Sequence, residues 1–321
     1  LSPVHPNLTI SGPGADQLTV RGAGTHQLVG IGGTNRIVQI SGLTFTNGST
    51  SSGGNAGAIE FNSSGGQLTL NACALISNSL NSIQIYSNTS GGIVINNSTI
   101  GSTAFDGKIV TSRTPLTITN STISGVIFNI PSAVTTVTLL NCTLLDAVLN
   151  SFSGGTGSLI LKNTIIGRGI FLPSAVSIVS QGNNLCRDAS LTPTAPGDLI
   201  NTDPLLAPVG NYGGPTPTAA LLPGSPAINA GNNTGAPTTD QRGIARPQQG
   251  ITDIGAVESR GFTLALGGGN NQSAVTNNSF ANPLVAAVSS AFSEPVNGGQ
   301  ITFTSLGSGA NCTFGSNPAT I

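Results

Sequence analysis

The sequence predicts an all-β chain: a parallel β-helix solenoid with coils of about 22 residues, followed by a C-terminal β segment. Three observations predict it. Segments beginning at Val38, Leu68, Ile93, Leu116, Val137 and Leu159 repeat one pattern at steps of 30, 25, 23, 21 and 22 residues. Within each segment, aliphatic side chains recur at every second position. One fixed place in every repeat holds Gly, Ala or Asn.

The strand comes first. The opening column is wholly aliphatic, and so is the column two places on: Ile40, Leu70, Ile95, Ile118, Leu139 and Leu161. Between them stand Gln39, Thr69, Val94, Thr117, Thr138 and Ile160, a mixed set. Period-two alternation of this kind marks a strand with one buried face. Five places beyond the second column another apolar one appears: Phe45, Leu75, Ile100, Ile123, Leu144 and Ile166. Five is odd, so an unbroken strand would turn that column to the opposite face. The chain must therefore bend in between, unless the core lies on both sides.

Asn97, Asn120, Asn141 and Asn163 stand in that interval, aligned with Gly42 and Ala72. Gly and Asn best tolerate the left-handed backbone a bend needs. Coils bent at one place and stacked about 4.8 Å apart would align these asparagines into a ladder, each amide donating to the next carbonyl, inside the fold. Three of the four carry the Asn-x-Ser/Thr pattern of a glycosylation acceptor, yet the ladder predicts that all four are unmodified. A leucine-rich repeat is the rival by period, but the chain lacks its consensus and has no sustained helical periodicity.

Composition agrees and excludes. Only 7% of residues are charged and the net charge is −1, so no nucleic acid or anionic membrane is expected as a partner. Val, Ile and Leu are too abundant for a disordered chain. No apolar run is long enough for a membrane span. No signal peptide is visible at Leu1, and the absence of a starting Met is read as processing or truncation. Few charges and abundant Ser, Thr and Asn point to secretion. Cys73, Cys142, Cys186 and Cys312 fit no zinc pattern. Cys73 and Cys142 are three coils apart, about 14 Å, too far for a disulfide, and are expected to pack as small residues. No cofactor or metal is expected.

Along the chain, 1–185 reads as solenoid coils, 186–259 as terminal coils and a cap rich in proline and charge, and 260–321 as a further β segment. The proline group Pro204, Pro215, Pro217, Pro223 and Pro226 fits a rigid last wrap that protects the solenoid edge. The runs "GNYGGPTPTAALLPGSPAINAGN" at 210–232 and "TDQRGIARPQQGITDIGAVES" at 239–259, with "NLTISGPGADQLTVRGAG" and "ISGLTFTNG" upstream, resemble the bacterial choice-of-anchor Q family. That resemblance implies a secreted or surface-attached right-handed parallel β-helix with no known catalytic activity. Asn229 stands where related β-helices usually carry Asp, which argues against a carboxylate function there. The stretch "SAVTNNSFANPLVAAVSSAFSEPVNGGQITFTSLGSGANCTFG" resembles a bacterial Ig-like module, and about 60 residues would supply only part of a sandwich of about 100.

Asp240, Arg242, Arg246, Asp253 and Glu258 form the one dense charged group. They are read as a structural network that satisfies irregular backbone. The coils offer Glu60, Asp106, Lys108, Arg113, Asp146, Lys162 and Arg168. Of these Asp106, Lys108 and Arg113 share one coil's loop and are the best candidates for lyase-like chemistry. His5 and His26 have no nearby carboxylate partner in sequence. "LGGGNN" at 266–271 lacks the Lys-Ser/Thr of a phosphate loop and reads as a linker or turn.

The function expected is a non-enzymatic extracellular scaffold or adhesive, a stalk or fibre subunit. Its partners would be further copies or other surface proteins. Two open solenoid ends and an incomplete Ig-like segment would invite added strands. The alternative is a carbohydrate-active or glycan-binding β-helix.

Overall fold

A computed structural model of the chain describes residues 7–49, 57–78, 83–86, 91–101, 107–112, 115–129, 135–145, 148–150, 157–167, 176–305 and 311–321. Among these there is no helix, and therefore none long and apolar enough to cross a membrane. The first strands, Asn7–Ser11, Thr19–Arg21 and Val29–Thr34, enter three different sheets. The fourth, Ile37–Ser41, returns to pair in parallel with the first. The chain keeps this cyclic order as far as Ile165–Ile166 and builds a solenoid-like stack of three parallel sheets with eight, eight and six strands.

Register follows the sequence columns. In the first sheet Ile95 lies opposite Leu70 and Ile118; in the second, Ile100 lies opposite Leu75 and Ile123. Their side chains share one core with Ile59 and Phe61 of the third sheet. Parallel, in-register stacking thus turns a short alternating pattern into continuous apolar columns. The corner between the first two sheets is left-handed in successive coils, with φ of 62° at Gly42, 50° at Ala72 and Asn97, 48° at Asn120, 49° at Asn141, 48° at Asn163 and 54° at Asn183. Asn183, the seventh member, was not in the predicted column.

Just past the corner, Cys73, Ser98, Ser121, Cys142, Thr164 and Asn184 are buried. The oxygens of this column accept main-chain N–H groups of the preceding coil. Ser98 Oγ takes Cys73 N at 3.1 Å, Ser121 Oγ takes Ser98 N at 3.1 Å, and Asn184 Oδ1 takes Thr164 N at 3.0 Å. The two cysteines fill the same small-residue position. All four cysteines are free, and burial pushes the Cys142 thiol up to about 12.

The two ends of the solenoid differ. At the N-terminal end Leu8 stacks on Val38 and Val20 on Phe45, but Leu8 is 47% exposed while Val38 is 1% exposed. At the C-terminal end the column continues through a parallel bridge from Leu185 to Leu199, and Leu191 is buried in the main core. Asp198 fastens this cover. Its carboxylate accepts Ala195 N at 2.7 Å, Asn184 N at 2.8 Å and the Ser180 hydroxyl at 2.6 Å. Among the described residues, 186–201 thus covers the end of the second sheet, while the first sheet ends at Val176–Ser180 with no further strand.

The region 186–259 is less regular than the coils before it, with no regular strand between Cys186 and Thr263. Beyond Leu199 it contributes isolated antiparallel bridges, such as Leu206 with Leu221 and Thr239 with Ala245. Its prolines supply no N–H for further ladder rungs, and the chain runs back along the solenoid flank as a strap. The described strands of 260–321 form two antiparallel pairs, Thr263–Gly268 with Val285–Ser289 and Gln300–Ile301 with Ala319–Thr320. No apolar side chain among the described residues of 260–321 is buried.

Candidate functional site

The strap docks on a surface that the solenoid provides for it. Along the second sheet, Thr99, Thr122, Thr143, Ile165 and Leu185 stack in register. They alternate with core-facing Ile100, Ile123, Leu144, Ile166 and Cys186, so they face outward, yet all five are buried. The strap covers them with matched chemistry. Over Ile165 and Leu185 it lays Leu221, Ala227 and Ile254, which form a second apolar core.

Over the threonines the strap is polar. Gln241 Nε2 donates to the Thr99 hydroxyl at 2.8 Å and to the Thr216 hydroxyl at 2.9 Å. Thr99 passes its own proton to the Pro217 carbonyl, and Thr216 donates to Asn97 O at 3.1 Å. The Thr122 hydroxyl donates to Gln241 Oε1 at 2.6 Å. One buried amide thus uses both protons and its oxygen, as a buried polar group must. Further along, Ala256 N donates to Thr143 Oγ1 at 2.9 Å. Gly255 is required there: its φ is 104°, and an added Cβ would lie 2.7 Å from Ile165 Cδ1 and 2.8 Å from Thr143 Oγ1.

The asparagine column lies under the same strap. Asn97 Nδ2 donates to Asn71 Oδ1 at 3.1 Å, Asn120 Nδ2 to Asn97 Oδ1 at 3.3 Å, and Asn163 Nδ2 to Asn141 Oδ1 at 3.2 Å. The ladder therefore starts at Asn71, one place before the aligned Ala72. It has a gap: Asn141 Nδ2 turns to Asp253 O at 3.5 Å, and Asn120 Oδ1 has no partner. The other amides also reach strap carbonyls, Asn120 to Thr239 O at 2.6 Å, Asn163 to Asn232 O at 2.9 Å and Asn183 to Ala230 O at 2.9 Å. The ladder is expected inside the fold; Asn120, Asn141 and Asn163 are buried between solenoid and strap, where an N–H of Asn120 and of Asn163 reaches a strap carbonyl beside the stack.

The predicted charged group is brought together within the strap. Asp240 accepts Arg242 N at 2.8 Å, Ile244 N at 2.9 Å and Glu258 N at 2.9 Å, and pairs with the Arg242 guanidinium at 2.9 Å. Arg246 pairs with Glu258 at 2.8 Å and donates to Gly255 O at 2.8 Å. Glu258 accepts Gln248 N and Asp253 N, both at 2.9 Å. Asp253 accepts Asn229 N and Ser259 N, both at 2.6 Å. Burial, and next the Glu258 charge, push the Asp253 carboxyl up to about 7 against these two bonds and the Arg246 charge. Asn229 itself has φ of 53° and serves through its main chain.

Two charged members were missed in the sequence. Glu294 is buried 3.6 Å from Arg242 and accepts the Ser259 hydroxyl at 3.0 Å. Arg260 donates its N–H to the same carboxylate at 3.1 Å and lies over the Phe292 ring. Glu294 lies 36 residues beyond Glu258, too far to be read with the group, whereas Arg260 stands two residues after Glu258 and its charge was the available signal. Gln241 and Asn183 were missed as well, the first because it carries no charge, the second because the coil before it differs in length.

The remaining candidates fall partly outside the described residues. Asp106, Arg113, Asp146, Arg168 and His5 lie outside the described residues, and Lys108 falls in the strand Gly107–Ser112. Glu60 lies in Ile59–Ser64, Lys162 donates to Thr234 O at 2.6 Å, and exposed His26 meets its neighbour Thr25 at 2.8 Å. The run 266–271 ends the strand Thr263–Gly268 and forms the loop after it, so it is part of the hairpin and not a linker. The described residues include two depressions. One of about 250 Å³ is lined by Asn183, Gly231, Asn232, Asn233 and Ile251. The other, of about 310 Å³, lies between the C-terminal hairpin and 301–303. No family model, no curated protein and no solved structure matches this chain.

Proposed function

We propose that this chain is a non-enzymatic extracellular scaffold or adhesive: part of a cell-surface stalk or a fibre subunit. On this reading the stack is a right-handed parallel β-helix of the choice-of-anchor Q kind, continued by an Ig-like module. Its partners are further copies of itself or other surface proteins, with glycans as the class of small ligand.

The observation that carries the reading is how the strap uses its charge. Asp240, Asp253 and Glu258 direct their oxygens at main-chain N–H groups and at Arg242 and Arg246. Carboxylates committed in this way hold irregular backbone in place and are not free to move a proton on a substrate. A seven-step stack at about 4.8 Å per step makes a body about 34 Å long, a stiff unit suited to spacing other modules.

The test is incubation of the intact chain with a panel of acidic and neutral polysaccharides, with and without calcium. The expected result is no product at any pH from acid to alkaline. Turnover of any member of the panel overturns the reading.

A further inference from the structure

We infer that the open edge of the C-terminal hairpin is a self-association surface that takes the same hairpin of a second copy; this rests on the scaffold reading and names its partner. The hairpin pairs Leu264 with Val288, Ala265 with Ala287 and Leu266 with Ala286. Directly opposed residues share a face, so Leu264, Leu266, Ala286 and Val288 form one apolar face. That face is open: Leu264 is 63% and Leu266 81% exposed. Leu284, Val285, Ile301 and Phe303 join them around the groove of about 310 Å³. Among the described residues no further strand pairs with either edge of this two-stranded sheet.

Exposed sheet edges are ordinarily protected by Lys, inward-pointing charge or Pro. From Gly261 to Ile321 the chain has one charged residue, Glu294, and it is turned inward against Arg242. The outer surface of the module therefore carries no charge to repel a copy of itself, and none that would select a charged partner. The net charge of −1 on the whole chain does not oppose the approach either.

The strand Thr263–Gly268 is self-complementary about a two-fold axis. Antiparallel pairing centred on Ala265 sets Leu264 of each copy across from Leu266 of the other, and the two apolar faces become continuous. At the C-terminal end of the solenoid 186–201 covers the second sheet, and among the described residues Leu266 of the hairpin is the most exposed large apolar side chain.

The test is sedimentation equilibrium of the full chain and of Leu266→Lys. Leu266 is mostly solvent-exposed in the single chain, so the substitution leaves the fold intact, and circular dichroism checks this. The wild type is expected to form a dimer, and the variant to dimerise at least about tenfold more weakly, because the two-fold axis brings in the new charge twice. A second substitution, Leu264→Lys, is expected to act in the same direction. A wild type that stays monomeric, or one whose dimer is untouched by either substitution, overturns the inference. The latter result would place association elsewhere, for example at Leu8. A monomer that is inert toward polysaccharides sinks this inference alone and keeps the scaffold reading.

Discussion

Gln241 and Thr99 are 142 positions apart in the chain and joined by a hydrogen bond of 2.8 Å. The contact crosses from the strap to the outer face of the second sheet. It shows how two halves of different character form one body. The first half repeats and builds a surface; the second does not repeat and is shaped to that surface residue by residue.

Gly255 is the tightest point of that fit. Gly255→Ala places a methyl against Ile165 and Thr143 at a backbone angle of φ 104°. A loss of about 3 kcal/mol or more is expected, measured by equilibrium denaturation. The 216–256 region is expected to gain hydrogen exchange before the coils do.

At Ala72 the corner holds a residue with a Cβ at φ 50°, where its neighbours in the column are Gly or Asn. Ala72→Asn relieves the conformational cost and is expected to stabilise the chain by about 1 kcal/mol. The midpoint of chemical denaturation reads this directly, and a lower midpoint would speak against the corner geometry.

Asp253 sets a pH dependence whose sign is fixed. Its carboxyl is raised to about 7 in the folded chain, against about 3.9 when unfolded. Between those values the folded chain binds more protons than the unfolded one. The contribution of this group is therefore fully present below about pH 4, falls by up to about 1.4 kcal/mol per unit as pH rises, and is gone above about 7. Asp253→Asn is expected to lower stability at pH 5, because its amide cannot accept both Asn229 N and Ser259 N. It is also expected to flatten the slope between pH 5 and 7. Denaturation series of both proteins across that range measure the difference.

Asn97, Asn120 and Asn141 carry acceptor patterns, but strap and ladder engage their amides. Folded material secreted from a glycosylating host is expected to carry no glycan at these three. Exposed Asn277, in the run Asn277-Asn278-Ser279, serves as the accessible comparison. Peptide mass spectrometry decides it, and glycan on Asn120 would contradict the docking.

The sequence made two sheets legible and hid the third. Columns through Ile95 and Ile100 keep a constant spacing because the corner between them is always one tight bend. The connection from the second sheet to the third runs from twelve residues, 47–58, down to one, Gly125, so no column survives alignment. The outward threonines were invisible for a different reason. A Thr beside an Ile reads as a solvent-facing strand position, and what covers Thr122 lies 119 residues away at Gln241. Charge made Asp240, Arg242, Arg246, Asp253 and Glu258 stand out as a group. The neutral Gln241, which holds two coils at once, gave no such signal, and Glu294 was too distant in sequence to be counted with its partners.

The most direct test of the docked strap is a double-mutant cycle between Thr122 and Gln241, using Thr122→Val and Gln241→Met to remove the polar groups at near-constant volume. Because the two side chains meet at 2.6 Å in a buried site, a coupling energy of about 1 kcal/mol or more is expected from equilibrium unfolding. Strict additivity of the two substitutions would mean that the strap does not lie on the second sheet, and would contradict the account.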